Sequence, residues 1–192
     1  MDLKSAVSFE EFLQTDGPAE WVEGKVVPLA AVDLRHDDLS SWLVAIMRPY
    51  VEARELGSIH KEPFVMRPAA DLPGRSPDVL FVATANRGRL KKTFLDGPAD
   101  LAVEVVSQGS QVRDRGEKFY EYERGGVLEY WLIDPIRGQA EFYGLRDGLY
   151  QALPPTEGLF HSSALPGFWL RVEWLWQDPL PKIRTVLQEL GV

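Results

Sequence analysis

The sequence predicts an α/β (α+β) domain in which a mixed central sheet is flanked by helices. Three observations carry this. The runs "PDVLFVA", "DLAVEVVS" and "VLEYWLID" are short and hydrophobic on both alternating faces, as strands covered on either side must be. Between the second and third lies "QGSQVRDRGEKFYEYERGG", a helical segment closed by two glycines, so those two strands should run parallel with a right-handed crossover. The pairs Glu23-Gly24 and Asp147-Gly148 signal tight hairpins, which add antiparallel neighbours.

Each element follows from local chemistry. Ser8 and Glu11 have capping-box spacing and open a short helix through "SFEEFLQT", which Gly17-Pro18 ends. "EWVEGKVVPL" folds back on itself at Glu23-Gly24. From Leu34 to Leu56 the residues Leu39, Leu43, Ile46, Met47 and Tyr50 recur at helical spacing, with Pro49 expected to kink or split the helix. "SIHKEPFVMR" reads as a strand, and "AEFYGL" pairs with "GLYQAL" across Asp147-Gly148. The Trp-rich "GFWLRVEWLWQ" suits core packing or a subunit interface better than base stacking, because its neighbours are aliphatic rather than basic. A last helix is expected at "IRTVLQELG".

With 192 residues, 45% of them hydrophobic and 26% charged, the chain can bury a full core, and a single domain over 1–192 is expected. The absence of cysteine excludes disulfides and thiolate zinc sites. "MDLKSAVSFEEF" lacks the apolar stretch of a signal peptide and no run approaches a membrane span, so a cytoplasmic protein without membrane partners is expected. The net charge of -8 has the wrong sign for coating nucleic acid through bulk electrostatics. Any polyanion must be met locally. The candidate is "NRGRLKKTF", with Arg87, Arg89, Lys91 and Lys92, set against the plain reading of a solvated loop.

Several chemistries are absent. There is no GxxxxGK[ST] and no GxSxG, and His36, His60 and His161 form no HExxH pair. What stands out is Glu104, a lone carboxylate inside an aliphatic strand, where charge costs several kcal/mol unless cations or donors face it. Asp78 heads "PDVLFVA". If these two strands are neighbours, the carboxylates can converge and would repel unless a divalent cation joined them, and hard oxygen ligands favour Mg²⁺ or Mn²⁺. On the following helix Glu117, Glu121 and Arg124 form one stripe, expected in solvent, whereas Lys118 shares the side of Tyr122 and points to the sheet. Against this stand plain structural roles: a strand-start Asp78, a snorkelling Lys118, or a simple buried pair of Glu104 with Lys118.

The order "PD", "DLAVEVVS", "DRGEKFYEY", "GVLEYWLIDP" resembles the Uma-type putative restriction endonuclease family within the PD-(D/E)XK nuclease superfamily. The resemblance runs from about Ser8 to the last strands and is densest between Pro77 and Pro135. It implies a restriction-endonuclease-like mixed sheet and metal-dependent cleavage of nucleic acid. It also implies Asp78 and Glu104 as metal ligands together with the backbone carbonyl of Val105. Position 106 is Val, so the lysine of the E-x-K motif is missing from its strand; the family resemblance moves it to the next helix, where Lys118 stands. Glu23 matches a family acid that could help hold the metal, although Glu-Gly is ordinary hairpin chemistry. His36 matches a family histidine, but "PLAAVDLRH" is otherwise unlike the family there, and a capping or surface role competes.

The resulting expectation is a Mg²⁺- or Mn²⁺-dependent endonuclease acting on DNA, with Asp78, Glu104 and Lys118 catalytic and a homodimer favoured for cutting both strands of a duplex. A non-cleaving DNA-binding or regulatory protein on the same scaffold is the alternative from another class. A hydrolase of small phosphate esters is the third.

Overall fold

The structure, a computed structural model, describes residues 6–192; the first five residues of the expected 1–192 domain lie outside it. In chain order the elements are α1 (Phe9–Phe12), β1 (Ala19–Val22), β2 (Lys25–Pro28), α2 (Leu34–Ala53), β3 (Gly57–Lys61), β4 (Val65–Arg67), β5 (Val79–Ala83), β6 (Phe94–Asp96) and β7 (Leu101–Val105). There follow α3 (Lys118–Gly125), β8 (Glu129–Asp134), β9 (Gln139–Arg146), β10 (Leu149–Ala152), β11 (Leu159–His161), β12 (Trp169–Arg171) and α4 (Ile183–Glu189). A π-helical turn, Arg113–Glu117, leads into α3.

The expected mixed sheet is present. Six strands lie in the order β10-β9-β8-β7-β5-β3, and within it β7 and β8 are parallel while the other neighbours are antiparallel. The crossover from β7 to β8 runs through α3, as the double-glycine helix implied. Gly126 closes α3 at φ 86°, and Gly125 has no room for a side chain, since a Cβ there would come within 2.3 Å of the Pro68 ring. Both hairpins form where expected. Glu23 and Gly24, like Asp147 and Gly148, take positive φ at both turn positions, the requirement of the tightest two-residue loop.

Two expectations change. "SIHKEPFVMR" is not one strand: it breaks at Glu62-Pro63, and β4 leaves to pair with β6 in a separate parallel ribbon. Pro63 sits inside a turn closed by the Phe64 amide on the Lys61 carbonyl at 3.0 Å, and this turn ends β3 at the edge of the sheet. The long helix is not split, because α2 runs unbroken through Pro49, with Asp33 capping its start by accepting from the His36 amide at 2.9 Å.

Strand alternation decides what meets what. Leu101, Val103 and Val105 join Val79, Phe81 and the inner face of α2 (Leu39, Leu43, Ile46, Met47, Tyr50) in the larger core. Ala102 and Val106, with Leu80 and Val82, lie in the second core beneath Tyr122 of α3. Glu104 belongs to this second face. Trp131 and Trp174 sit in the larger core, with Trp169 and Trp176 packed on it, so the Trp-rich segment serves packing.

One buried acid is purely architectural. Glu129, fully buried at the head of β8, accepts from Trp131 Nε1, Ser162 Oγ, the Ser163 amide and hydroxyl, and the Ala164 amide at 2.5–3.0 Å. It ties the 162–164 loop to the sheet. Glu129→Gln keeps the shape but converts one acceptor oxygen into a donor facing donors. Unfolding by urea should show a loss of about 2–4 kcal/mol with native circular dichroism retained; a loss under about 0.5 kcal/mol would mean the loop is held by other contacts.

Candidate active site

The pairing of β5 with β7 sets Val79 opposite Val103, so one step further Asp78 comes opposite Glu104 at the end of the sheet. Both point to the α3 side. Asp78 Oδ2 accepts from the Val105 amide at 2.6 Å, which seats its carboxylate directly on the Val105 main chain. Its other oxygen meets His36 Nε2 at 3.2 Å, and His36 comes from the first turn of α2. Asp78, Glu104 and Lys118, singled out in the sequence, are thereby brought together, and His36 joins them.

Glu104 is 3% exposed and has two partners from α3. Lys118 Nζ lies 2.8 Å from Oε2 and the Tyr122 hydroxyl donates to Oε1 at 2.7 Å. Lys118 and Tyr122 are one turn apart on the buried face of α3, so the periodicity argument and the geometry agree. The π-helical turn brings in another acid. Lys118 donates its amide back to Arg113, and Asp114, itself buried, comes within 3.4 Å of the ammonium.

Glu20 is the residue that sequence reasoning passed over in favour of Glu23. Glu20 in β1 is fully buried, with Oε1 at 3.5 Å from Lys118 Nζ and accepting from the Ser76 amide at 3.1 Å. Glu23 sits in the exposed hairpin turn and does not line the cleft. Alternation gave no signal for it: in β1, Ala19-Glu20-Trp21-Val22, the two buried residues are consecutive.

The stripe of Glu117, Glu121 and Arg124, expected in solvent, is corrected at Glu121. Arg75, 2% exposed, donates to both oxygens of Glu121 at 2.7 Å, to Glu117 Oε2 at 3.0 Å and to Glu20 Oε2 at 3.0 Å. Glu121 is drawn inward by this contact, whereas Glu117 stays largely exposed while reaching Arg75, and Arg124 is exposed and paired with Asp71. A helical wheel cannot register a cation arriving from another segment.

The basic stretch lies elsewhere. Arg87 and Arg89 are in the 3₁₀ turn Thr84–Arg89, which leaves the end of β5 opposite to Asp78. Five strand residues intervene, about 17 Å at the usual rise per residue. Arg89 donates to the Pro98 carbonyl at 2.8 Å, Lys91 to that of Gly88 at 3.2 Å, and Lys92 is exposed.

Charge at the acid cluster is unbalanced. Among the described residues Glu20, Glu104, Asp114, Glu117 and Glu121 pair with three permanent cations, Arg75, Lys118 and Arg113, and Asp78 pairs with His36, so six acids face three permanent cations. Burial opposes the Lys118 charge, but Glu104, Glu20, Asp114 and Asp78 together raise its pKa, so the ammonium is retained. Burial, reinforced by Asp114 and Asp78, pushes Glu104 well above the usual carboxylate range despite Lys118. Burial and the Glu104 charge likewise push Tyr122 far up, which keeps its hydroxyl a donor. For His36, burial is outweighed by the hydrogen bond and charge of Asp78, and its pKa rises.

These residues floor a cleft of about 40 Å³, with Glu62, Ser107, Ser110 and Arg113 at its sides and Ala30 to Val32 along one lip. Buried polar atoms without a hydrogen bond gather around it: His36 Nδ1 and Ser76 Oγ, together with Arg113 Nε and Asp114 Oδ1, which face each other at 3.8 Å. Among the described residues no group of three or more His, Cys, Asp or Glu side chains is placed to hold a metal ion. The donors on offer are two carboxylates on adjacent strands and the Val105 main chain between them, all oxygen, in a site short of positive charge. That set fits a hard divalent cation completed by water, and the unpartnered buried atoms fit a hydrated one.

Comparison with known proteins is consistent with this geometry. The Uma2 family model, described as "Putative restriction endonuclease", matches residues 7–173. A solved structure from Anabaena variabilis ATCC 29413, described as a putative nuclease belonging to DUF820, superposes with a TM-score of 0.71 at 17% identity, covering 88% of this chain and 97% of that one. It shares the fold. No curated protein matches the chain.

Glu20 and Glu23 separate a buried network acid from a turn acid. Burial works against the Glu20 charge, but Lys118, Arg75 and the Ser76 amide lower its pKa below the ordinary 4.5. A lowered folded-state pKa means stability that is complete above the unfolded value and lost as pH falls through the folded one. Glu20→Gln should therefore cost a few kcal/mol at neutral pH, roughly what breaking a buried pair costs, and the gap to the parent should shrink below pH 4.5. Glu23→Gln should change stability by under about 0.5 kcal/mol at any pH. Chemical denaturation across pH checks both; equal effects of the two changes would refute the assignment of Glu20.

Proposed function

The chain belongs to the Uma2 putative restriction endonuclease family, and from that premise we propose that it is a divalent-metal-dependent endonuclease that hydrolyses DNA phosphodiester bonds. The observation that carries the reading is the meeting of Asp78, Glu104 and Lys118 at one buried end of the sheet.

Asp78, Glu104 and the Val105 carbonyl would hold Mg²⁺ or Mn²⁺. When bound, such an ion supplies Lewis-acid polarisation of a phosphate oxygen and eases deprotonation of the attacking water. The chain's own groups do the rest. His36 and the Val105 amide fix the Asp78 carboxylate from both oxygens, and Tyr122 fixes Glu104. Lys118, held charged by its acidic neighbours, stabilises the extra negative charge that develops when water adds to phosphorus, or orients that water. The 3′ or 5′ oxygen then leaves and takes up a proton. Arg87, Arg89, Lys91 and Lys92, at the far end of β5, would meet phosphates outside the reacting one.

The alternative, a DNA-binding or regulatory protein that does not cleave, is favoured by the net charge of -8 and by the distance of the basic stretch from the cleft. Plasmid nicking dependent on Mg²⁺ or Mn²⁺ separates the two: the nuclease reading expects nicking, and binding without nicking over the full range of divalent ions would support the alternative.

Variants divide the roles further. Mn²⁺ should raise the melting temperature by mass action, and Asp78→Asn or Glu104→Gln should abolish both this shift and cleavage. Lys118→Ala should keep the shift, or enlarge it, while cleavage drops by on the order of a hundredfold or more. Cleavage by Lys118→Ala at the parent rate would remove Lys118 from the chemistry. Changing Arg87, Arg89, Lys91 and Lys92 together to Gln should weaken DNA binding and flatten its dependence on salt, with the Mn²⁺ shift unchanged; identical affinity at low salt would mark the stretch as solvated surface.

A further inference from the structure

Among the described residues Arg75 is the largest fully buried charged side chain, and its hydrogen bonds go to Glu20, Glu117 and Glu121 rather than to the groups proposed to act on substrate. Its cage is specific. A two-pronged bond to Glu121 uses Nε and Nη2, Nη2 also reaches Glu117, and Nη1 reaches Glu20. Glu117 precedes Lys118 and Glu121 follows it by three residues, so the guanidinium grips α3 on both sides of the lysine. Glu20 uses its second oxygen to face the Lys118 ammonium at 3.5 Å.

The backbone of Arg75 is fixed as firmly as its side chain. Its amide and carbonyl both bond to Met66, at 2.9 and 2.7 Å. Three residues on, the same segment delivers Asp78, through Ser76, whose amide donates to Glu20, and Pro77. One rigid stretch of four residues therefore holds the Asp78 carboxylate at one end and the lysine-bearing helix at the other.

We infer that Arg75 is a positioning residue that sets where the Lys118 ammonium stands relative to Asp78 and Glu104. This rests on the nuclease reading for its effect on rate, although the placement of Lys118 can be read without it. A guanidinium is suited to the task because its planar fork can satisfy three carboxylates in fixed directions, which an ammonium cannot. Catalytic groups lose effect with displacements on the order of 1 Å, so loosening this grip should act on turnover more than on binding.

The test compares Arg75→Gln and Arg75→Lys with Glu129→Gln, a destabilised variant whose altered site lies away from the cleft. Lys118 is followed by amidination with methyl acetimidate and peptide mass spectrometry, with exposed Lys91 and Lys92 as internal references, and cleavage is followed as kcat and KM. In both Arg75 variants Lys118 should be modified at least about tenfold faster than in the parent, and kcat should fall at least about tenfold with KM and the Mn²⁺ shift little changed. Glu129→Gln should leave all of these near parent values. If Arg75→Gln does not fold, Glu117→Gln combined with Glu121→Gln releases the same grip on the helix and should give the same result. Lys118 protection and kcat indistinguishable from those of Glu129→Gln would overturn the inference and leave Arg75 a packing residue. If the parent cleaves no nucleic acid, the nuclease reading falls, and the labelling alone decides the role of Arg75.

Discussion

The Lys118 ammonium, with three carboxylates within 3.5 Å and almost no contact with water, is the interaction on which the rest of the site depends. Buried charges are tolerable only when paired and hydrogen-bonded, and here one cation answers for Glu104, Asp114 and Glu20 at once. Each acid comes from a different element: β7, the π-helical turn and β1. The ammonium therefore holds the sheet, the crossover and the N-terminal hairpin in one arrangement. Removing any single acid weakens the cluster, whereas removing the lysine leaves its acids facing one another.

Burial alone does not mark a functional acid. Glu129, Asp100 and Asp134 are as deeply buried as Glu104. Each closes its own bonds. Asp100 accepts from the Ala83 amide and Asn86, and Asp134 from the Ile136 and Arg137 amides and from Arg115. These are architectural acids with complete sets of donors. The acids around Lys118 instead outnumber their cations. That imbalance is what distinguishes a site prepared for a further cation from a network already satisfied.

Much of this was legible because local rules and tertiary structure agreed. Strands apolar on both faces, a helix ended by Gly125-Gly126 and hairpins at Glu23-Gly24 and Asp147-Gly148 describe the sheet and its crossover. Alternation along "DLAVEVVS" and the four-residue step from Lys118 to Tyr122 suffice to make Glu104 meet both. What stayed hidden has a common cause. Glu20, Arg75 and Asp114 act across elements that no periodicity connects. Glu20 lies in a four-residue strand outside the central sheet, and Arg75 lies in the turn-like "LPGRSPD". Asp114 precedes Lys118 through a π-helical turn, where the ordinary helical phase no longer applies. The break of "SIHKEPFVMR" at Pro63 was in principle readable from proline's place in turns.

The central claim is that the sheet end between Asp78 and Glu104 is a seat for a divalent cation. Anomalous diffraction from crystals of the protein soaked in Mn²⁺ tests this most directly. The account predicts one strong peak within bonding distance, about 2.0–2.4 Å, of an oxygen of Asp78, an oxygen of Glu104 and the Val105 carbonyl, absent from crystals of Asp78→Asn. A peak held by other residues, or none at saturating Mn²⁺ with the cleft open to solvent in the lattice, would contradict it.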